Sequence, residues 1–405
     1  MQKIAGKPPR REPRAFWNWL HRYSGLAMAL FLGFAAITGC VLCFVRPLDR
    51  ALNADLFNGP VTVRPMLVTE AVDRFQRLHP ELRVRSFPLI VPADQRIPVK
   101  VEAASKRRPL GYDQVFLDRA SGAPVGKRSS EAAWSRRGAM KALHDVHYTL
   151  LVGQWGRWIM AAVAISWLLS NIVGAYLTLP LRPPFWKGWR RMWRISLKSS
   201  LSRLLLDLHR SSGLWLLVVL TPLAFTSVAL NLFGEVYEPL VKAIVRHQQT
   251  AFDRPAPFPQ GIDGQIGFTR AVALAEDRLK QQQEKWQPAT AVYLPTRNAY
   301  GLTLTDDATL NYRGLGPIYW YFDGTTGQLV DRDDPYQDNP GLALIRILYP
   351  LHSGRIIGPI GVGIVFLLGL ATTEMCATGI YVWWRKRRAR GMPRIHRRSA
   401  SKQAS

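Results

Sequence analysis

Residues 20–26 read Leu-His-Arg-Tyr-Ser-Gly-Leu, and the stretch returns at 208–214 as Leu-His-Arg-Ser-Ser-Gly-Leu. Each copy stands at the mouth of a long apolar run. An offset of 188 carries Leu20, His21, Arg22, Ser24, Gly25 and Leu26 onto Leu208, His209, Arg210, Ser212, Gly213 and Leu214, and Thr38 onto Thr226. Further along, an offset of 205 carries Asp118 onto Asp323, Gly122 onto Gly327, His147 onto His352, Gly153 onto Gly358, Gly174 onto Gly379 and Tyr176 onto Tyr381. Two long-range registers with shared residues mark a duplicated unit. Each copy begins and ends with a histidine beside a run long enough to cross a membrane.

Four such runs, at roughly 17–45, 156–180, 204–233 and 356–384, meet the length of about 20 apolar residues that a bilayer requires. The first is too long, and lacks the small-residue cleavage site, for a removed signal peptide. The formal charge is +26, and +20 of it falls in three blocks at 1–20, 180–206 and 385–405. Such basicity could serve nucleic acid. Its placement beside the apolar runs instead follows the positive-inside rule, so no nucleic-acid partner is expected. Four spans put all three blocks on one side, which that rule makes the cytoplasm. A basic tail (1–16), a basic loop (181–203) and a second tail (385–405) are expected there. The two long connections, 46–143 and 234–346, would face the outside. Cys40 and Cys43 read as small apolar helix residues. Residue 44 is Phe, so the C-x-x-C-H pattern of covalent haem attachment is absent. Cys376 lies toward the inner end of the fourth run and offers no disulfide to the outer segments.

Both connections follow one plan. In the first, residues 69–82 carry a helical apolar stripe (Ala71, Val72, Phe75, Leu78, Leu82), and short strands follow at 84–91, 98–103 and 112–126. In the second, a helix at 269–282 precedes strands at 289–295, 300–307 and 318–330. Each copy has an Asp-x-x-Ser/Thr-Gly turn, Asp118 to Gly122 and Asp323 to Gly327, whose glycine supplies positive φ. This helix-and-strands plan with the stretch Val115 to Gly122 resembles the PepSY domain. With the apolar runs, residues 15–388 resemble the PepSY-associated transmembrane family, which includes haem-containing inner-membrane reductases of ferric siderophores in bacteria. The features that carry the likeness are Leu20 to Leu26 with Thr38-Gly39, the two turns, and His147 with Gly153, Gly156 and Arg157. The resemblance implies an α-helical membrane protein of four transmembrane helices with two periplasmic α+β PepSY-like domains. Some relatives carry a fused flavodoxin-like or reductase domain. The short basic tail here leads us to expect no flavin or NADPH site.

A histidine at a membrane helix is costly to bury and is a functional candidate. A single one could be interfacial, but four stand in matched positions. A pseudo-two-fold relation would set His21 opposite His209 on the inner side and His147 opposite His352 on the outer side. Facing imidazoles suit axial ligation of haem iron. Zinc prefers three or four ligands, and each level offers two. His144, three residues before His147 and matched by Tyr349, is the alternative outer ligand. Arg22 and Arg210 beside the inner histidines, and Arg157 and Arg355 near the outer ones, could bind haem propionates with their forked donors. Arg22 and Arg210 serve equally as snorkelling topology residues. Gly25 and Gly213 could admit a flat macrocycle, or let helices approach closely. Pro222 is expected to kink the third run. Glu374, deep in the fourth, reads as a partner of a nearby His or Arg, or as a proton or quinone site.

The expectation is therefore an inner-membrane oxidoreductase with two non-covalent haem b groups. It would pass electrons from a cytoplasmic or quinol donor to a periplasmic acceptor, with a ferric siderophore as substrate. Reduction to Fe(II) weakens oxygen-donor chelation. No acid–base catalytic residue is expected, and the chain has no G-x-S-x-G, H-E-x-x-H or P-loop motif. Two other readings use the same residues. One is a non-enzymatic PepSY-type protein that binds or regulates a periplasmic peptidase or acts as a sensor. The other is a repeat-built transporter, which the near-absence of deep acids argues against.

Overall fold

The computed structural model describes residues 13–61, 64–105, 110–131, 133–247, 266–306, 314–337 and 339–391. The basic tail expected at 1–16 lies outside them except for residues 13–16, as does the second tail from residue 392 on. The chain divides into two compact units. One comprises residues up to Cys40, His147–Asn231 and the chain from Phe366. The other comprises Val41–Val146 and Leu232–Val365.

In chain order, the first apolar run forms α1 (Pro13–Leu42). Two short helices follow, α2 (Val45–Leu52) and α3 (Ala54–Phe57), and then α4 (Val68–Leu78), β1 (Leu82–Pro88), β2 (Ile97–Ala103), β3 (Gln114–Leu117) and β4 (Pro124–Arg128). Next come α5 (Ala139–Thr149), α6 (Gly153–Thr178), the short α7 (Phe185–Arg190), α8 (Leu201–Trp215) and α9 (Leu217–Asn231). The second copy continues with α10 (Glu238–Ile244), α11 (Gly267–Gln281), β5 (Gln287–Leu294), β6 (Ala299–Thr305), β7 (Ile318–Asp323), β8 (Leu329–Asp333), α12 (Pro340–His352) and α13 (Pro359–Gly391).

Three helices, α1, α6 and α13, are each long and apolar enough to cross a membrane. At 1.5 Å per residue the shortest, α6, extends about 39 Å, beyond the roughly 30 Å of hydrocarbon. The third apolar run differs from expectation. It is two helices, α8 and α9, bent by 75°. The bend lies at Leu216, six residues before Pro222, which sits inside α9. Its position follows a change of partner. Ser211 Oγ and Trp215 Nε1 both donate to the Trp193 carbonyl (2.7 and 3.0 Å), tying the end of α8 to the preceding loop. In α9, Leu220 and Ala224 pack instead with Leu32 of α1, Val163 and Trp167 of α6 and Leu368 of α13.

The second unit holds the sheet. The eight strands form one antiparallel sheet in the order β4-β3-β2-β1-β5-β6-β7-β8. The two PepSY-like halves, expected as separate domains at 46–143 and 234–346, thus join edge to edge. The seam pairs Ser86, Phe87 and Pro88 with Val292, Ala291 and Thr290. The order reads outward symmetrically from the seam, as a two-fold repeat requires. Joining removes one exposed edge from each half. It also makes one core: α4 and α11 contribute Ala71, Val72, Phe75, Phe268, Ala271 and Ala275 to the strands of both halves. In β1 a bulge between Val84 and Ser86 shifts the alternation, so the buried residues run Leu82, Val84, Phe87.

The two turns are built alike. Asp118 Oδ1 accepts from the Ala120 and Ser121 amides and the Ser121 hydroxyl. Asp323 Oδ1 accepts from the Thr325 and Thr326 amides and the Thr326 hydroxyl. Gly122 and Gly327 close the turns at φ +68° and +73°. Elsewhere Arg128 grips Asp49 of α2 through two bonds of 2.9 and 2.8 Å, with its guanidinium 5.2 Å from the Phe57 ring. That pair fixes α2 to the edge strand β4.

Two outcomes follow for stability. Arg128→Ala leaves Asp49 without its cation, so unfolding of the full chain in detergent should cost about 3 kcal/mol less. The carboxyls of Asp118 and Asp323 are raised by burial but lowered more by their hydroxyl and amide donors, so both lie below the ordinary value. A depressed folded pKa stabilises fully above the unfolded value near 3.9. That contribution is lost as pH falls through the folded value. Asp118→Asn with Asp323→Asn should flatten the loss of stability below about pH 4, as followed by thermal unfolding across pH 2–6.

Candidate functional site

His21 projects from α1 and His209 from α8, and their ring centres lie 6.4 Å apart with planes at 65°. Each ring rests on a glycine of a neighbouring helix. A Cβ on Gly174 of α6 would fall 3.2 Å from His21 Cε1, and one on Gly379 of α13 would fall 3.2 Å from His209 Cε1. Any larger residue would push the imidazole away. The 205-residue offset that matches these glycines in sequence therefore marks two equivalent histidine seats.

The Nδ1 atoms are held by the same helices. Ser170 Oγ, one turn before Gly174, lies 2.9 Å from His21 Nδ1. His209 Nδ1 donates to the Met375 carbonyl at 2.9 Å, with Thr378 Oγ1 at 3.3 Å. A carbonyl only accepts, so the proton of His209 is on Nδ1 and the lone pair is on Nε2. His147 has the same seat on α1. Its Nδ1 donates to the Ala35 carbonyl at 3.0 Å, Thr38 Oγ1 is at 3.0 Å, and its Cε1 is 3.1 Å from a Cβ on Gly39. The seats of His147 and His209 are thus both Thr-Gly dipeptides with the carbonyl four residues before the glycine. At the 188 offset α9 carries Thr226-Ser227, and Thr226 is fully buried.

His144 and His147, alternatives in the sequence, are placed differently. The His144 side chain is 57% exposed and lies 3.4 Å from Asp145, whereas His147 occupies the seat. His352 ends α12 in the sheet-bearing unit, half-buried, and Arg355 opens a short 3₁₀ turn there. The second pair expected from the repeat therefore draws on residues of different units. Arg157 is the fifth residue of α6, with its guanidinium 5.7 Å from the Trp158 ring.

A cavity of about 340 Å³ adjoins the His21–His209 pair, within the 300–1,000 Å³ typical of cofactor sites. Its walls are mostly apolar, with Met28, Leu32, Trp167 and Leu214 among them. Arg22, Arg210 and Lys386 also line it, as do Gly25 and Gly213. A Cβ at Gly25 would meet nothing within 4 Å, so that glycine opens on free space. Arg210 is partly committed: it pairs with buried Asp207 at 2.9 Å and donates to the Met192 carbonyl at 3.1 Å. Among the described residues no third His, Cys, Asp or Glu joins the pair as a metal ligand.

The family model for the PepSY-associated TM region matches residues 18–386. The chain belongs to this family. The matched stretch begins and ends on Asn18 and Lys386, the first and last residues of the cavity wall. Among curated proteins no relative matches the chain.

Sequence reasoning passed over Ser170, Met375 and Thr378, which hold the imidazoles, and Asp207 and Met192. A signal did exist for the seats: Gly174 and Gly379 recur at fixed offset, and Thr-Gly occurs at 38–39 and 378–379. Met375 carried none, because its contribution is a backbone carbonyl. Glu374, expected to partner a His or Arg, faces Thr378 and Ser212 instead.

Asp207 is 1% exposed and accepts from both Arg203 and Arg210. Asp207→Ala leaves Arg210 beside the cavity without its counter-charge. The unfolding free energy should fall by about 3 kcal/mol, measured by denaturant titration in detergent.

Proposed function

We propose that the chain is a transmembrane haem oxidoreductase of two b-type haems, which delivers electrons to an acceptor outside the membrane, with ferric siderophores as the substrate class. The observation that carries the reading is the 6.4 Å separation of the His21 and His209 rings. Two imidazole nitrogens in line on one metal, each at about 2 Å, put ring centres roughly 6 Å apart. The cavity supports it further, because Asn171 Nδ2, in its wall, is buried without a hydrogen-bond partner. A buried amide left unpaired costs about 1–3 kcal/mol, and a polar substituent of a bound group would recover that.

In this reading α8 and α9 together make the fourth span. The basic blocks then put both termini and the His21–His209 level at the cytoplasmic side of a bacterial inner membrane. His21 and His209 would hold the inner haem, and Arg22, Arg210 and Lys386, which line the cavity, would supply positive charge for its propionates. By the 205-residue offset in the sequence, His147 and His352 are the candidate ligands of the outer haem, with Arg157 and Arg355 as the candidate partners of its propionates; His144, exposed beside Asp145, is left out of the pair. A haem held by two imidazoles supplies one-electron redox chemistry at a six-coordinate iron. The protein's residues keep the site apolar and fix each imidazole, so no side chain has to move a proton to substrate. The donor is a cytoplasmic carrier or a quinol in the bilayer, and the joined PepSY-like sheet presents the acceptor.

Protein purified with haem in the growth medium should be red and lose its colour to acid acetone. His21→Ala and His209→Ala should each remove one low-spin component of the spectrum. His147→Ala and His352→Ala should remove the other, and His144→Ala neither. A colourless preparation would favour a non-enzymatic peptidase-binding role. Loss of the same component from His21→Ala and His147→Ala would show the pairs running within one copy.

A further inference from the structure

The segment between α6 and α8 carries Arg182, Lys187, Arg190, Arg191, Arg194 and Lys198, all exposed. None of the six has a carboxylate partner among the described residues. Residues 180–206 contain no acid. The next one along, Asp207, is buried and already accepts from Arg203 and Arg210. Topology alone would need only this charge. The structure adds exposed apolar side chains among the cations: Leu181 and Trp186 are each 72% exposed and Leu197 is 80% exposed. The segment is also tied at both ends. Ring centres step from Trp186 to Trp189, Trp193 and Trp215 at 5.8, 5.4 and 5.1 Å. Trp189 Nε1 donates to Thr178 Oγ1 at the end of α6 (3.2 Å), and the Trp193 carbonyl accepts from Trp215 of α8.

We propose that this segment is a binding surface for anionic phospholipids of the leaflet it faces. The cations meet headgroup phosphates, and Leu181, Trp186 and Leu197 enter the upper acyl region. Unpaired like charges close together in the chain repel one another, and a negatively charged headgroup layer supplies the missing counter-charge. Basic residues interleaved with Trp and Leu beside a membrane-length helix have the chemistry of an interfacial segment, in which buried apolar area adds to electrostatic attraction. A soluble polyanion would satisfy the charges but would offer Leu181 and Leu197 no apolar surroundings. The surface also bears on the helical unit, because the Met192 and Trp193 carbonyls hold Arg210, Ser211 and Trp215. Lipid bound to the segment therefore steadies the end of α8 that carries His209. None of this depends on what His21 and His209 bind.

The test uses the full chain in micelles of detergent and phosphatidylcholine, titrated with phosphatidylglycerol, with bound lipids counted by native mass spectrometry. The wild type should retain phosphatidylglycerol in preference to phosphatidylcholine, and about 0.5 M salt should weaken that preference. A cation beside an anionic leaflet is worth roughly fivefold in affinity. Lys187→Gln, Arg190→Gln, Arg191→Gln and Arg194→Gln together should therefore lower the preference about tenfold or more. Trp186→Ser with Leu197→Ser keeps the charge and should weaken phosphatidylglycerol retention about tenfold. Arg74→Gln, Arg77→Gln, Arg270→Gln and Lys280→Gln, at exposed positions of α4 and α11, should leave the preference unchanged. The salt dependence of the wild type needs no variant to fold. A wild type without preference, an unchanged preference after the four substitutions in the segment, or an equal loss after those on α4 and α11 overturns the inference. So does polyglutamate that binds the wild type, is lost with the four cations and ignores Trp186→Ser with Leu197→Ser, since that result assigns the surface to an acidic protein.

Discussion

A histidine inside an apolar helix bundle needs an acceptor for its ring proton, and there is no water in the hydrocarbon to provide one. The helical unit answers that requirement with a seat formed on the neighbouring helix. A glycine gives up its side chain so that the ring can lie against the backbone, and the freed or nearby acceptor takes Nδ1–H. Gly174 with Ser170, Gly379 with Met375 and Thr378, and Gly39 with Ala35 and Thr38 are three instances. Each seat engages Nδ1 of its ring rather than Nε2. The chemistry of the site is thus decided by helix–helix approach before any cofactor is considered.

The rest of the helical unit serves that approach. The Trp193 carbonyl holds the end of α8, and the Met192 carbonyl together with Asp207 holds Arg210. The 75° break lets α8 present His209 while α9 continues the packing against α6. Arg14 adds a further tie by donating to the Tyr176 and Leu177 carbonyls at the end of α6, which sets the register of α1 beside it.

The sheet-bearing unit shows how a duplication is used differently outside the apolar helices. Each half repeats one helix and four strands, yet neither closes on itself. The β1–β5 seam covers the edge that each half would otherwise expose, and Phe87 with Phe268, 4.9 Å apart, is shared between them. A half alone would expose part of a core that now runs through all eight strands.

Periodicity and spacing in the sequence determined much of this. The apolar runs, the alternation of Ile97, Val99 and Val101, and the Asp-to-Gly turns have local causes, so the elements formed where the pattern called for them. The offsets also named His21 and His209 as equivalents, because a duplication preserves residue type in sequence order. The tertiary structure decided what depends on pairs far apart in the chain. It chose His147 over His144 for the seat on α1, although both stand three residues apart on one helix, because only His147 meets Gly39. It moved the bend from Pro222 to Leu216, where the packing partner changes. It also fused two domains into one sheet, since unpaired strand edges leave no trace in periodicity. Above all it supplied the Met375 and Ala35 carbonyls, which every residue type possesses and which only the approach of another helix can turn into part of a site.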